Sequence, residues 1–127
     1  MFAKTSTYGT HGSVTGDWAT YFTMNSGGDT RGWIFKRKSN SNVCSISGTG
    51  IVTATSFYTS SDIRLKTNIT PISDSIYSFN WKESGKKSYG FIAQYLEENY
   101  PELVSGENSK SVDYNAAICL VIAKLEN

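Results

Sequence analysis

Ser61 and Lys66 are the two side chains of this sequence best suited to covalent chemistry, and they lie five positions apart in the segment SDIRLK. A serine hydroxyl becomes a nucleophile when a neighbouring base accepts its proton, and a lysine of lowered pKa can be that base. The reference pKa of lysine is ~10.4, so the pKa of Lys66 must be lowered by about three units for its side chain to be neutral near pH 7. The apolar neighbours Ile63 and Leu65 are compatible with the burial that such a shift requires.

The spacing of this pair restricts the backbone that can join its two side chains. Residues five apart point to opposite faces of a regular strand, and in a regular helix they diverge by about 140°. Ser61 and Lys66 therefore meet only through a bend or a bulge, or across two chains of an oligomer.

The composition of the chain changes near residue 60. Residues 1–60 are rich in Gly, Ser and Thr and poor in charge. In the segment after them, charged and apolar residues alternate in regular patterns that are typical of helices. The sequence predicts short strands, at 18–23, 33–36, 43–46 and 51–54, with turns at 25–29, 39–42 and 47–50. Such strands leave unpaired edges and bury little area, which favours pairing between chains. The alternative is an ordinary small β-domain.

In the second half, alternation over 62–66 predicts a strand that Pro71 stops, and residues 73–75 offer a cap for a helical turn burying Ile76 and Tyr77. Residues 79–81 are β-like, and 82–87 form a polar loop or hairpin tip.

Two helices are predicted near the C-terminus, over 91–99 and from Tyr114 onward with Asp113 as its cap. Apolar residues of the last helix recur at spacings of four, three and four, at Tyr114, Ile118, Val121 and Leu125. This seam is compatible with a coiled coil of more than two strands, and equally with packing onto its own domain.

Three blocks in fixed order carry a family resemblance: the segment beginning at Ser61, the block GFIAQ at 90–94 followed by PELV at 101–104, and VDYNA at 112–116. Together they resemble the peptidase S74 intramolecular chaperone domain found at the C-termini of phage tail fibres, tailspikes and neck appendages. The resemblance implies an α+β homotrimer. Residues 1–60 would be the end of a β-rich intertwined stalk, and 61–127 a small mixed chaperone domain with helices.

The resemblance also implies a reaction. Ser61 would attack the carbonyl of Ser60 with Lys66 as the base, so that a self-cleaving serine endopeptidase acts once, in cis or between chains of the trimer. Cleavage that depends on trimer assembly would prevent early release of the chaperone. Possible supporting residues come from the same motifs: Asp62, Arg64, Gln94 and Tyr114. The alternative is a fibre tip that trimerises without cleavage.

Composition limits the partners. A net charge of +1 gives no reason to expect nucleic acid, and the basic run 36–38 is best explained as a solvated strand end. No apolar run approaches the ~20 residues that span a membrane. The two separated cysteines predict free thiols, with a disulfide as the less favoured alternative, and without a histidine cluster they predict no metal site; no cofactor is expected.

Two further expectations concern location and binding. The protein would be made in the host cytoplasm, with the stalk retained in the virion and the chaperone released. Aromatic residues of the first half are more consistent with a core than with a surface for host glycan, although glycan binding stays open. They are Trp18, Tyr21, Phe22, Trp33 and Phe35.

Overall fold

The computed structural model describes residues 1–24 and 27–127, which form two compact units, Met1–Ala54 and Thr55–Asn127. Strands predominate in both, and the described residues include three α-helices. The chain is therefore a mixed α and β protein, as predicted.

The first unit contains two small antiparallel sheets. In one, β1 (Phe2–Lys4) pairs with β2 (Trp18–Thr20), and a short helix α1 (Thr5–Tyr8) follows β1. The other is a meander with the strand order β3-β4-β5. Its strands are β3 (Gly32–Lys38), β4 (Ser41–Ser47) and β5 (Val52–Ala54).

These strands broadly confirm the predicted positions. The predicted strand 18–23 ends earlier, at Thr20, where its pairing with β1 stops. Of the predicted turn 25–29, Asn25 and Ser26 lie outside the described residues. The strands of the meander pair within one chain, which the alternative of a small β-domain requires. Intertwining of three chains stays a prediction.

The first unit keeps several aromatic side chains at its surface. Phe22 is 80% exposed, Trp18 and Phe35 are about half exposed, and Trp33 and Tyr21 are partly buried. A core role is therefore wrong for the most exposed of them in the single chain, because too little of the polypeptide packs over them. The basic run 36–38 ends β3 and is exposed, as predicted.

The second unit is built from two three-stranded antiparallel sheets. In the first, the order is β10-β11-β6, with β6 (Thr59–Ser60), β10 (Val104–Ser105) and β11 (Ser111–Val112). In the second, the order is β7-β8-β9, with β7 (Lys66–Pro71), β8 (Tyr77–Trp81) and β9 (Lys87–Gly90).

The core of the second unit lies where helix α2 (Ala93–Glu97) and helix α3 (Tyr114–Glu126) meet the first of these sheets. Its buried apolar residues are Ala93, Leu96, Leu103, Val112 and Ala117.

Two local predictions are wrong. The segment 62–66 is not a strand, because the side chain of Asp62 caps a 3-10 turn at Ile63–Leu65 and strand β7 starts only at Lys66. Residues 73–75 do not begin a helical turn. They lie in the loop of the β7–β8 hairpin, where the N–H groups of Ile72 and Ser73 donate to the carbonyl of Ile76.

The helix predictions are confirmed with changed lengths. Helix α2 covers only part of the predicted 91–99, while α3 begins at Tyr114 with Asp113 as its cap, 3.0 Å from the N–H of Ala116. Cys44 and Cys119 are free, as predicted. Within the described ranges, none of the helices is long and apolar enough to cross a membrane.

Candidate active site

The 3-10 turn at Ile63–Leu65 brings Ser61 and Lys66 of the same chain together. Lys66 Nζ donates to Ser61 Oγ at 2.7 Å and to the carbonyl of Ser61 at 3.1 Å. A bend was one of the two routes that the spacing allowed, and the turn supplies it. Contact between these side chains therefore needs no second chain.

Asp62 holds this turn in place. Its carboxylate is buried and accepts from the N–H of Arg64 at 2.9 Å, from the Arg64 guanidinium at 2.9 and 3.1 Å, and from the N–H of Lys110 at 2.9 Å. Because the Arg64 side chain and these N–H groups favour the ionised form, the pKa of Asp62 lies well below its usual range despite burial. Asp62 and Arg64 thus position the backbone between Ser61 and Lys66.

Lys66 lies in a largely aromatic and enclosed environment. It is 3% exposed, with Nζ 4.2 Å from the centroid of the Phe79 ring and 5.4 Å from that of Trp81. Burial lowers the pKa of Lys66 to about 8, and the negative charge of Asp62 opposes part of this shift. Half of the molecules would then carry a neutral Lys66 near pH 8, whereas a surface lysine would remain charged.

Ser61 is also buried, at 1% exposure, and its backbone is held on both sides. Its N–H donates to the carbonyl of Lys110 at 3.0 Å, and its carbonyl accepts from the N–H of Ala93 at 2.9 Å. The hydroxyl donates to the carbonyl of Phe91 at 2.6 Å, and Lys66 donates to that same carbonyl at 2.7 Å. Lys66 Nζ thus donates three hydrogen bonds, as a charged ammonium group does, and the hydroxyl proton of Ser61 points to the carbonyl oxygen of Phe91.

The carbonyl of Phe91 is placed by residues of the second and third sequence blocks. Tyr114 Oη accepts from the N–H of Phe91 at 3.0 Å, and their rings lie 5.2 Å apart. A Cβ at Gly90 would overlap the Tyr114 hydroxyl, so glycine at this position leaves the room that the hydroxyl occupies. Gln94 Oε1 accepts from the N–H of Ile63 at 2.8 Å and so ties helix α2 to the turn.

Sequence reasoning missed three groups of this site. Phe91 and Lys110 act through backbone atoms, which residue identity does not reveal. Phe79 was predicted only as part of a strand, although its ring lies over the Lys66 ammonium. For the Phe91 backbone there was one signal in the sequence: the preceding residue is Gly90, and a glycine often marks a place where another group approaches the backbone closely.

A cavity of about 210 Å³ opens beside the Ser60–Ser61 bond. It lies within the second unit, and its lining contains one ionisable cation and no carboxylate. The lining residues are Thr59, Ser60, Ser61, Lys66, Phe79, Trp81, Ser88, Tyr89 and Tyr114. Across the described ranges 1–24 and 27–127, no cluster of His, Cys, Asp and Glu forms a metal site.

Comparison with protein families gives a match for the part of the chain that contains Ser61 and Lys66. Residues 61–105 match the model of the Peptidase S74 family, described as chaperone of endosialidase. We call this matched range, 45 of the 127 residues, the S74 segment. The match begins at Ser61, includes Lys66 and Gln94, and supports a role as an intramolecular chaperone. The searches of curated proteins and of solved structures gave no match.

The S74 match ends before the third sequence block. Tyr114 lies beyond residue 105, yet its hydroxyl contacts the backbone of Phe91 inside the matched range. The structure therefore joins all three blocks at one place, around the Ser61 and Lys66 side chains.

Proposed function

We propose that residues 61–127 form an intramolecular chaperone that trimerises, templates the folding of a fibre, spike or appendage stalk, and then cuts the chain between Ser60 and Ser61. The proposal of cleavage rests mainly on the 2.7 Å contact between Lys66 Nζ and the buried Ser61 Oγ. Intact mass spectrometry under denaturing conditions tests it: cleavage gives two fragments that meet between residues 60 and 61.

The proposed reaction begins when Lys66 loses its proton. The Ser61 hydroxyl then turns its proton from the Phe91 carbonyl to Lys66 Nζ, and Oγ attacks the carbonyl carbon of Ser60. The C–N bond to Ser61 breaks, Lys66 returns the proton to the leaving nitrogen, and an ester between Ser60 and Ser61 Oγ remains. Water then adds to this ester with Lys66 again as the base, giving a Ser60 carboxylate and a free Ser61 amine and hydroxyl.

The contact within one chain supports reaction in cis. Lys66 reaches Ser61 of its own chain, so the trimer is not needed to supply the base. Assembly would instead decide when the chain adopts this packed arrangement, because Ser61 and Lys66 react only when they are buried together.

The cleavage rate should follow the ionisation of Lys66. The pKa of Lys66 is lowered to about 8, so its neutral fraction rises as pH increases toward that value and levels off above it. We expect the rate to increase about tenfold from pH 7 to its plateau. Cleavage of purified, refolded chain, sampled with time between pH 6 and pH 10, measures this profile. A rate that falls over this range would contradict a lysine base.

Helix α3 supports assembly with further copies of the chain. Tyr114, the first residue of the predicted seam, packs against Phe91 of its own domain. The later seam residues are uncovered in the single chain, with Ile118 56%, Val121 55% and Leu125 80% exposed. Apolar residues that recur at this spacing bury themselves when helices associate. A second and a third copy of the same helix are the partners that fit this seam.

Val121→Glu should therefore reduce the trimer to a monomer at micromolar concentrations, because a charged group would enter the seam between helices. Ala123→Glu is the matched control, since Ala123 is also exposed but lies on the opposite side of the helix. Analytical ultracentrifugation measures the mass of each variant. Equal trimer content in both variants would refute assembly through this seam.

The client of the proposed chaperone is the preceding β-rich part of the same chain, and the setting is phage assembly in the host cytoplasm. Covalent attachment keeps the client at high local concentration, and removal of the chaperone would leave the assembled stalk kinetically trapped.

The exposed aromatic residues of the first unit favour a second candidate, a fibre tip that binds host glycan. Phe2 stacks on Trp18 with ring centroids 5.1 Å apart, which presents a flat apolar surface of the kind that packs against sugar rings. Affinity for a bacterial surface polysaccharide that is lost in Trp18→Ala would establish this role. It is compatible with cleavage, and also with a chain that stays uncut.

A further inference from the structure

We propose that cleavage does not by itself release residues 61–127, because the new carboxyl end at Ser60 stays bound as a strand on β11 with its carboxylate paired to Lys66. The cleaved segment would then be a binding site for a peptide carboxyl terminus, and its first ligand the end of its own stalk. This inference rests on the proposed cleavage between Ser60 and Ser61.

The pairing of the strands supports retention. Thr59 lies opposite Val112 and Ser60 opposite Ser111, while the N–H of Ser61 donates to the carbonyl of Lys110 at 3.0 Å. Both sides of the scissile bond are thus held along the same stretch of chain, 110–112. Breaking the bond between residues 60 and 61 removes none of these contacts. The cut end remains in place as an added edge strand, a common way to bind an extended peptide.

The charges created by hydrolysis also favour retention. The new carboxylate of Ser60 forms at the edge of the cavity of about 210 Å³ that Lys66 lines, and no residue with a carboxylate lines that cavity. Asp62 is not a competing partner for Lys66, since its oxygens already accept from Arg64 and from the N–H of Lys110. Lys66 is therefore a cation of this cavity with which the new carboxylate can pair.

Departure of the cut end would be unfavourable for the same reason. Hydrolysis leaves an α-amino group on Ser61, whose hydroxyl lies 2.7 Å from Lys66 Nζ, and both residues are buried. Without the Ser60 carboxylate, two amino groups would share one site, and the neighbouring anion, Asp62, is already bound by Arg64 and by the N–H of Lys110. Cleavage and release would thus be separate steps, and opening of the β6–β11 pairing would control the second.

The test compares fragments of the cleaved full chain under native and denaturing conditions. Denaturing mass spectrometry first shows the fraction that is cut, and native size-exclusion chromatography then shows whether fragments 1–60 and 61–127 elute together. We expect the two fragments to co-elute, and to do so in 1 M NaCl as well as at low ionic strength, because salt screens a buried ion pair only weakly. An uncut chain would refute the cleavage itself, whereas cut fragments that separate immediately would refute only retention.

A pair of proline variants distinguishes retention by the β6 strand from retention elsewhere. Thr59→Pro removes an N–H from β6, whereas Ser56→Pro changes a residue outside the strands of the sheet. Among the cleaved molecules, Thr59→Pro should separate at least about tenfold faster than Ser56→Pro. Equal rates would overturn the proposed strand contact, even if the fragments co-elute.

The role of the carboxylate is tested with a competing peptide of residues 55–60, TSFYTS, added in excess to the cleaved complex. The peptide with a free carboxyl terminus should displace the stalk fragment, and the same peptide with a terminal amide should be at least about tenfold less effective. Equal potency of the two peptides would refute recognition of the carboxylate by Lys66.

Discussion

Ser61→Ala should leave the chain uncut, so that denaturing mass spectrometry finds a single species of about 14 kDa where the wild type gives two fragments. The reason is chemical, because alanine has no oxygen to attack the Ser60 carbonyl. Lys66→Ala should slow cleavage about 10²- to 10⁴-fold, the usual contribution of a positioned base. Lys66→Arg should be as slow, since arginine keeps its proton at any pH used.

Ser60→Ala is the matched control for these variants. Ser60 precedes the scissile bond and is exposed, whereas Ser61 is buried against Lys66. We expect Ser60→Ala to be cleaved at close to the wild-type rate. Cleavage that survives Ser61→Ala but is lost in Ser60→Ala would move the nucleophile to Ser60. A wild-type trimer that stays uncut would leave a chaperone without peptidase activity.

Thermal unfolding must accompany these measurements, because Ser61 and Lys66 are buried and their loss leaves the Phe91 carbonyl with fewer donors. A variant that unfolds at a similar temperature to the wild type but stays uncut has lost chemistry. Lys66→Met gives a second comparison, since it keeps apolar volume near Phe79 while it removes the amine.

Gly90→Ala should reduce both stability and cleavage, because the added methyl group overlaps the hydroxyl of Tyr114. Crowding of this kind typically costs about 1–3 kcal/mol of unfolding free energy. The Tyr114 hydroxyl would have to leave the N–H of Phe91, whose carbonyl holds Ser61 and Lys66. We therefore expect slower cleavage as well as a lower unfolding midpoint in denaturant.

A double variant tests this explanation. Tyr114→Phe removes the hydroxyl and costs stability of its own, since the N–H of Phe91 loses its partner. Gly90→Ala in the Tyr114→Phe background should then cost much less than it does in the wild type, so the two effects are not additive. Gly27→Ala, where the added methyl group meets no atom of the described residues within 4 Å, is the control. Additive losses would show that Gly90 matters for another reason.

Both predictions concern one carbonyl, that of Phe91, and this explains why the three sequence blocks lie together. The first block supplies Ser61 and Lys66, the second supplies Gly90 and the carbonyl, and the third supplies Tyr114, which fixes the Phe91 backbone. The contact network thus depends on segments separated by 23 to 30 residues. A pair of reactive residues alone would not define it.

The C-terminal helix shows how far local sequence information reaches. Asp113 followed by an apolar pattern predicted the start of α3 correctly, because capping and helical periodicity are local properties. The sequence did not show which residues of the seam pack on their own domain and which stay exposed. Tyr114 packs on Phe91 while Leu125 is 80% exposed, and only the position of the helix on the domain decides this difference.

The segment from Ser61 to Lys66 shows most clearly where prediction from the local sequence fails. Its sequence determined which residues carry a nucleophile and an amine, and its motif identified the S74 segment, since both depend on residue type and spacing. Alternation predicted a strand, but the Asp62 side chain formed a cap, bound Arg64 and Lys110, and turned the chain instead. The partners of Asp62 come partly from a segment 48 residues away.

The sequence by itself therefore determined the reactive residue types, the S74 match over residues 61–105 and the start of helix α3. The tertiary structure alone decided that Ser61 and Lys66 touch within one chain, and that burial over Phe79 lowers the pKa of Lys66 to about 8. The physical reason is that desolvation and contacts with backbone carbonyls depend on distant segments packing around a residue, whereas capping, periodicity and motif spacing depend on its neighbours in the chain.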